Sequence, residues 1–464
     1  MFALFLVLPS CGFAGSILDT LCGMADMEGA YSAEIGLTFH SCVPFDANRL
    51  KLLNDLLQHV SFQLFRNDPL SSVKIRIGEY EALHWTEKKE DNEYQTVFSL
   101  DPDAAWCTQE SLFSQEGLLH SSTPSMLNPD TWSAEDLLPF PVTRDTLLVP
   151  QSARLLLECL PGLFPEKIKE SKIRVKVDED ETATRKMELV LAPDGSDPGT
   201  IPMIPDTISN PVLKNTLADL VFFGKQRFTF YLNEEGKLLK AVFTGQTGEK
   251  TERRKVDFSW TACTENDSIV HQISWNSKAV SGREKETLSA LIEETDPRKN
   301  LTSDSLKVNW EYARSERQLQ TTWTGAVQLQ LNSVFSGTIQ IGKTVGDQSR
   351  VVLIEPELEI ASPGRWSGTI RWKEEENRFI QEDAEIHLSV TDQADIPWPA
   401  PSGEFHPDQM NEEEREWFLQ AWNKRLGASV LRALLSLPDG SLGFINGELE
   451  KEAWMMVLSH VGLN

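Results

Sequence analysis

The chain has 464 residues, 40% of them hydrophobic and 13 of them tryptophan, a content that excludes wholesale disorder. Its 70 acidic side chains against 44 basic ones leave a formal charge of −26, which repels phosphate backbones and excludes ordinary nucleic-acid binding. The same charge repels anionic headgroups, so membrane attachment is expected only through an N-terminal lipid or leader.

The first segment, MFALFLVLPSCGFAGS, carries an apolar run from Phe2 to Leu8. Such a run suits the core of a secretory signal and is too short to span a bilayer, which takes about 20 apolar residues. Leu8-Pro9-Ser10-Cys11 resembles the lipobox of bacterial lipoproteins, and the resemblance implies lipidation of Cys11. Pro9 departs from that pattern, and Gly12-Phe13-Ala14 offers an ordinary cleavage site before Gly15. Residues 1–15 are therefore expected to be a leader, and the protein to be extracytoplasmic, at a cell surface or in a periplasm. The six cysteines include no CxxC pair, so neither a zinc site nor a redox motif is indicated.

Residues 16–160 read as an α+β unit. A strand from Glu34 to Phe39 precedes a helix capped by Asp46, with Leu50, Leu53 and Leu57 on one face. Strands at Ser61–Phe65 and Val73–Ile77 follow. Ser71-Ser72-Val73-Lys74 spells SxxK, but it runs into a strand where that catalytic pattern needs a helix. Leu160-Pro161-Gly162 marks a boundary, after which residues 161–396 form a large antiparallel sheet unit with one helix. That helix starts at Asn210-Pro211, an N-cap followed by Pro at the first helical position, and aligns Leu213, Leu217 and Leu220. The two units repeat a strand, helix, strand, turn, strand order with little residue identity. Asp178–Glu181 lacks the alternating ligands and the glycine of a calcium loop, and reads as an acidic hairpin tip.

From Val256 onward the sequence alternates apolar and polar residues. Val256, Phe258, Trp260 and Ala262 form one such series, Leu306, Val308, Trp310 and Tyr312 another, and Ala384, Ile386, Leu388 and Val390 a third. A strand that is half charged belongs to a sheet with one wet face, and short turns between strands make it an antiparallel meander. Gly337 to Thr344 matches the phosphate-loop pattern GxxxxGKT letter for letter. Its interior alternates as a strand does, and a turn follows where the phosphate-binding helix should begin, so a hairpin is expected. Residues 397–464 open with Pro397-Trp398-Pro399-Ala400-Pro401 and continue into a helix near Asn411, with Glu412, Glu413 and Glu414 in its positive first turn.

The fold expected is α+β: a large, curved antiparallel sheet, a half-barrel-like meander, with a few amphipathic helices covering its apolar face. At the level of architecture it resembles the half-barrel of periplasmic lipoprotein carriers and related surface lipoproteins. No catalytic, cofactor or metal site emerges; the eight histidines are scattered without HxH or HExxH spacing. Trp260, Trp275, Trp310, Trp323, Trp366 and Trp372 lie on predicted strands, where broad aromatic faces suit the lining of a ligand cavity as well as cross-strand packing. The function expected is non-enzymatic binding or shielding of an amphiphile or a protein partner by an exported, membrane-anchored surface protein. The alternative is an extracellular carbohydrate hydrolase using paired carboxylates and tryptophan.

Overall fold

The computed structural model describes residues 31–43, 45–67, 69–90, 93–100, 116–121, 157–177, 181–192, 199–200, 214, 221–222, 225–247, 253–265, 268–282, 284–295, 304–316, 319–362, 365–392, 404–405, 410–438, 441 and 443. Residues 1–15, with Cys11 among them, and Asn210 to Leu213 lie outside them, as do Leu217, Leu220, Asp178, Glu179 and Asp180. Cys42 and Cys159 carry free thiols, and the Cys263 thiol lies 3.6 Å from Val270 O.

The first strands are β1 (Tyr31–Cys42), β2 (Val60–Asn67), β3 (Leu70–Ile77), β4 (Tyr80–Glu90), β5 (Glu93–Leu100) and β6 (Glu116–Ser121). Then come β7 (Ile168–Lys176), β8 (Thr182–Leu191), β9 (Gly199–Thr200), β10 (Val221–Phe222), β11 (Gln226–Leu232), β12 (Leu238–Thr247), β13 (Arg254–Glu265) and β14 (Ser268–Ala279). The last are β15 (Glu284–Thr295), β16 (Asp304–Glu316), β17 (Leu319–Leu331), β18 (Val334–Val345), β19 (Gln348–Ser362), β20 (Arg365–Glu376), β21 (Phe379–Thr391) and β22 (Glu404–Phe405). Two longer helices accompany them among the described residues, α1 (Ala47–Leu57) and α2 (Glu412–Leu435), and residues 157–163 are also helical. The described chain is mostly antiparallel sheet with few helices, and its strand pairings do not close into a barrel.

One compact unit comprises Asp26–Ser133, Pro356–Glu374 and Ile380–Asn464. Its antiparallel order is β21, β1, β2, β3, β4, β5, β6, with β22 parallel to β6. Asp46 caps α1 by accepting from the amides of Asn48 and Arg49, each at 2.9 Å. Pairing of β1 with β2 ends at Ile35, which leaves the far half of that β1 edge without a strand. Asn54 of α1 fills the place: its Oδ1 accepts from Phe39 N at 2.9 Å and its Nδ2 donates to Phe39 O at 2.7 Å. Asn411 and Glu414 form a reciprocal capping box on α2. Ala433 and Leu437 bury against Ile77 and Ala82 at the β3–β4 turn, and Ser429 Oγ donates to Ala82 O at 2.7 Å. Thus α1 packs along the β1 edge and α2 at the β3–β4 turn, and a helical cover over the longer meander is not seen among the described residues.

The other unit comprises the described residues of Ala134–Glu355 together with Glu375–Phe379. Its antiparallel order is β7, β8, β11, β12, β13, β14, β15, β16, β17, β18. The sides are sorted as alternation requires. Val256, Phe258, Trp260, Ile273, Trp275, Leu288, Ile292, Leu306, Val308 and Tyr312 are all buried on one face. Lys255, Gln272, Asn276, Lys307, Asn309 and Glu311 are exposed on the other. Each large apolar side chain so buried contributes about 1.5–3 kcal/mol. One cross-strand row sets small residues on both sides of Trp310: Trp260, Ile273, Ala290, Trp310, Gly325. A Cβ on Gly325 would lie 2.0 Å from Trp310 Nε1, so the indole rests on bare glycine backbone.

Candidate functional site

The neighbouring row of this face is the most aromatic feature of the described chain. Register sets Phe228, Phe243, Phe258, Trp275, Leu288, Tyr312, Trp323 and Lys343 side by side across β11 to β18. Seven inter-strand steps of about 4.8 Å make the row roughly 34 Å long, measured along the sheet. Phe228 and Phe243 have ring centroids 4.7 Å apart, Trp275 stacks on Tyr312 at 6.4 Å, and Tyr312 meets Trp323 at 5.3 Å. Burial pushes the Tyr312 phenol up to about 12, so it stays neutral. Trp323 is half-buried, with Lys343 Nζ 5.9 Å from its ring centroid, which places a cation at the end of the row. Trp323 Nε1 is buried with no hydrogen-bond partner in the structure.

Of the tryptophans singled out from the sequence, Trp275 and Trp323 share this row, while Trp260 and Trp310 share the next one. Trp366 and Trp372 lie on β20 in the other unit, and both are half-buried. Trp260 stacks on His271 at 5.8 Å. His271 is fully buried, and its Nε2 lies 3.3 Å from Oε1 of the buried Glu294. Gly337 to Thr344 is the body of β18, followed by a turn at Gly346 and then β19. Its backbone amides belong to a sheet strand rather than to a phosphate cradle.

A second polar constellation escaped sequence reasoning. Ser72 on β3 faces Thr86 on β4, and Lys74 faces His84. Ser72 Oγ lies 2.8 Å from His84 Nε2, and Thr86 Oγ1 lies 3.2 Å from both. His84 Nδ1 is 3.2 Å from Glu81 Oε1. Strict alternation would put Glu81 on the opposite face from His84. The register shift that makes Ala82 an extra residue re-aims it, as bulges do. The hydrogen bond with His84 holds Glu81 below the usual carboxylate range, while the Ser72 and Thr86 hydroxyls stand at the other imidazole nitrogen. These are the polar contacts of an acyl-transfer relay, but Ser72 is only 1% exposed, so its oxygen is closed to an incoming carbonyl. The relay ties β3 to β4 beside the bulge.

Next to it, burial pushes the Glu87 carboxyl up to about 7, against a smaller downward pull from its hydrogen bond with Trp85. Folded protein therefore holds a proton that unfolded chain releases between about pH 4.5 and pH 7, so this group lowers stability as pH rises through that window. Glu87→Gln is expected to raise the melting temperature at about pH 8 and to leave it unchanged at about pH 4. A gain at both pH values, or at neither, in parallel thermal scans would contradict the assignment.

Comparison with known proteins gives little beyond the sheet. No protein-family model matches the chain, and no curated protein does. Among solved structures, OmpT, an outer membrane protein of Vibrio cholerae, is similar at 5% identity, covering 78% of this chain and 96% of that one, with a TM-score of 0.24. OccK3 of Pseudomonas aeruginosa is similar at 6% identity, covering 80% and 97%, with a TM-score of 0.25. OpdQ of the same organism is similar at 5% identity, covering 78% and 96%, with a TM-score of 0.26. A likeness of this size bears on neither family nor function. Independently, the exposed face of the longer meander carries Lys255, Lys307 and Glu311. A basic side chain facing lipid costs about 2–4 kcal/mol at the bilayer midplane, so this face is built for water.

Proposed function

We propose that the protein is exported, does no chemistry, and holds an amphiphile with an anionic head against Trp323 and Lys343, at the half-buried end of the aromatic row. The half-buried Trp323 beside the Lys343 ammonium carries the reading. An apolar body laid against that indole gains about 25 cal/mol for each Å² of apolar surface removed from water, while Phe258, Trp275 and Tyr312, already buried, form its packed support. The Lys343 ammonium then stands where a carboxylate or phosphate head would end, and the Trp323 indole N–H offers a donor that the protein leaves unanswered. The apolar run from Phe2 to Leu8 supports export, and a half-barrel sheet would give such a ligand a concave bed.

Titration with palmitate, followed by tryptophan emission, tests this. Saturable binding is expected, weakened about tenfold or more by Trp323→Ala. Lys343→Ala is expected to weaken palmitate while sparing the uncharged alcohol of equal chain length. Emission that ignores both ligands, or binding that ignores both substitutions, rules the site out.

A further inference from the structure

The net charge of −26 conceals a local reversal. In a meander, alternate hairpins close on the same rim of the sheet. The β14–β15, β16–β17 and β18–β19 turns share one rim of the longer meander. Backbone bonds lace its tips together: Val280 N donates to Arg253 O at 2.8 Å, and Gly346 N to Gln320 O at 3.4 Å. Asn377 N donates to Ser349 O at 2.8 Å, which brings the β20–β21 tip to the same rim. Three large apolar side chains stand in solvent there: Val280 is 65% exposed, Leu319 57% and Phe379 73%.

Directly behind the tips, on the wet face, register sets Lys255, Lys278 and Lys285 in one row across β13, β14 and β15. All three are exposed. Like charges directly opposite one another destabilise a sheet, and a chain with 70 acidic residues had carboxylates to spare for these places. Lys255 has Asp257 at 3.8 Å, whereas Lys278 and Lys285 have no carboxylate partner among the described residues. Of the acids beside the lysine row, Glu284 lies 2.9 Å and Glu286 3.2 Å from the Arg254 guanidinium, while Asp347 stands exposed farther along the rim, at the β18–β19 tip.

We infer that this rim docks on an anionic lipid bilayer, with Val280, Leu319 and Phe379 entering the headgroup layer and the lysine row meeting lipid phosphates. A nucleic acid would use the lysines but leave the three apolar tips in water, and the rest of the acidic surface would repel it. A bilayer uses both features. Each lysine near an anionic leaflet adds attraction that fades within a Debye length, about 10 Å at 0.1 M salt. The inference does not depend on the aromatic row being a ligand site.

Cosedimentation of the full chain with vesicles tests it, comparing phosphatidylcholine alone with a roughly equal mixture of phosphatidylcholine and phosphatidylglycerol. The protein is expected to sediment with the mixed vesicles in low salt, to be released by high salt, and to ignore pure phosphatidylcholine. Val280→Ser, Leu319→Ser and Phe379→Ser are each expected to weaken binding by roughly tenfold, with melting temperature unchanged because the tips are exposed. Lys278→Glu with Lys285→Glu tests the charge separately and should abolish binding in low salt. Ser333→Glu, on the opposite rim, should leave binding intact. Failure to bind either vesicle, equal binding to both, or binding indifferent to the tip and lysine variants overturns the inference.

Discussion

Trp275→Ala is expected to cost about 3–5 kcal/mol of stability, while Asn276→Ala, one residue further on, costs less than about 0.5 kcal/mol. Trp275 is only 4% exposed, has Phe258 and Leu288 as its register partners, and stacks on Tyr312. Asn276 stands in water between Asp257 and Thr287. The same contrast holds in weaker form at Trp310 and Glu311. Trp310 is half-buried, so part of its ring has less to lose, but it also covers Gly325, whose backbone becomes exposed when the indole is removed. Urea unfolding of the four single variants measures this directly. Equal costs at Trp275 and Asn276 would mean that both faces of the meander are dry, and the sorting of residues into a packed and a wet side would be wrong.

Alternation made that sorting legible because its signal is local. Within a regular strand each side chain's face follows from counting by two, and β13, β14 and β16 present the faces read for them. Cross-strand relations are not local. The aromatic row depends on which residue of β16 stands beside which of β15 and β17, and register is set by turn geometry that composition does not reveal. Phe228 and Lys343 therefore share a row although more than a hundred positions separate them in the sequence. The lysine row was hidden in a second way. A sum over the chain reports −26 and predicts repulsion from anionic lipid, yet the sheet gathers three lysines at one rim. At β3–β4 counting by two fails outright. One extra residue at Ala82 inverts the phase, so Glu81 and His84, three apart, meet on one face. A scattered-histidine reading has no means to see that. The helices were harder again: the Asp46 and Asn411 caps are visible as side-chain chemistry, but where a helix docks depends on which strand ends lie free.

The two glycines of the GxxxxGKT match give a second contrast. In a phosphate loop both would be needed to bring backbone amides close to the ligand. In a strand they differ. Gly337 has φ +150°, and a Cβ placed there would lie 2.0 Å from the carbonyl oxygen of Gln328 and 2.9 Å from Leu329 Cα. Those are backbone atoms of the paired strand β17, and they cannot yield without breaking the ladder. Gly337→Ala is therefore expected to cost about 3 kcal/mol or more. At Gly342 the nearest atom to an added Cβ is the Thr324 hydroxyl at 2.8 Å, which can rotate away, and Val351 Cγ2 follows at an ordinary 3.6 Å. Gly342→Ala should cost no more than about 1 kcal/mol. Chemical denaturation of both variants, with and without ATP and magnesium, separates the readings. A nucleotide present at a hundred times its dissociation constant would stabilise the wild type by about 2.7 kcal/mol, and either alanine would reduce that gain. The strand predicts no nucleotide effect in any of the three proteins and a steep loss at Gly337 alone.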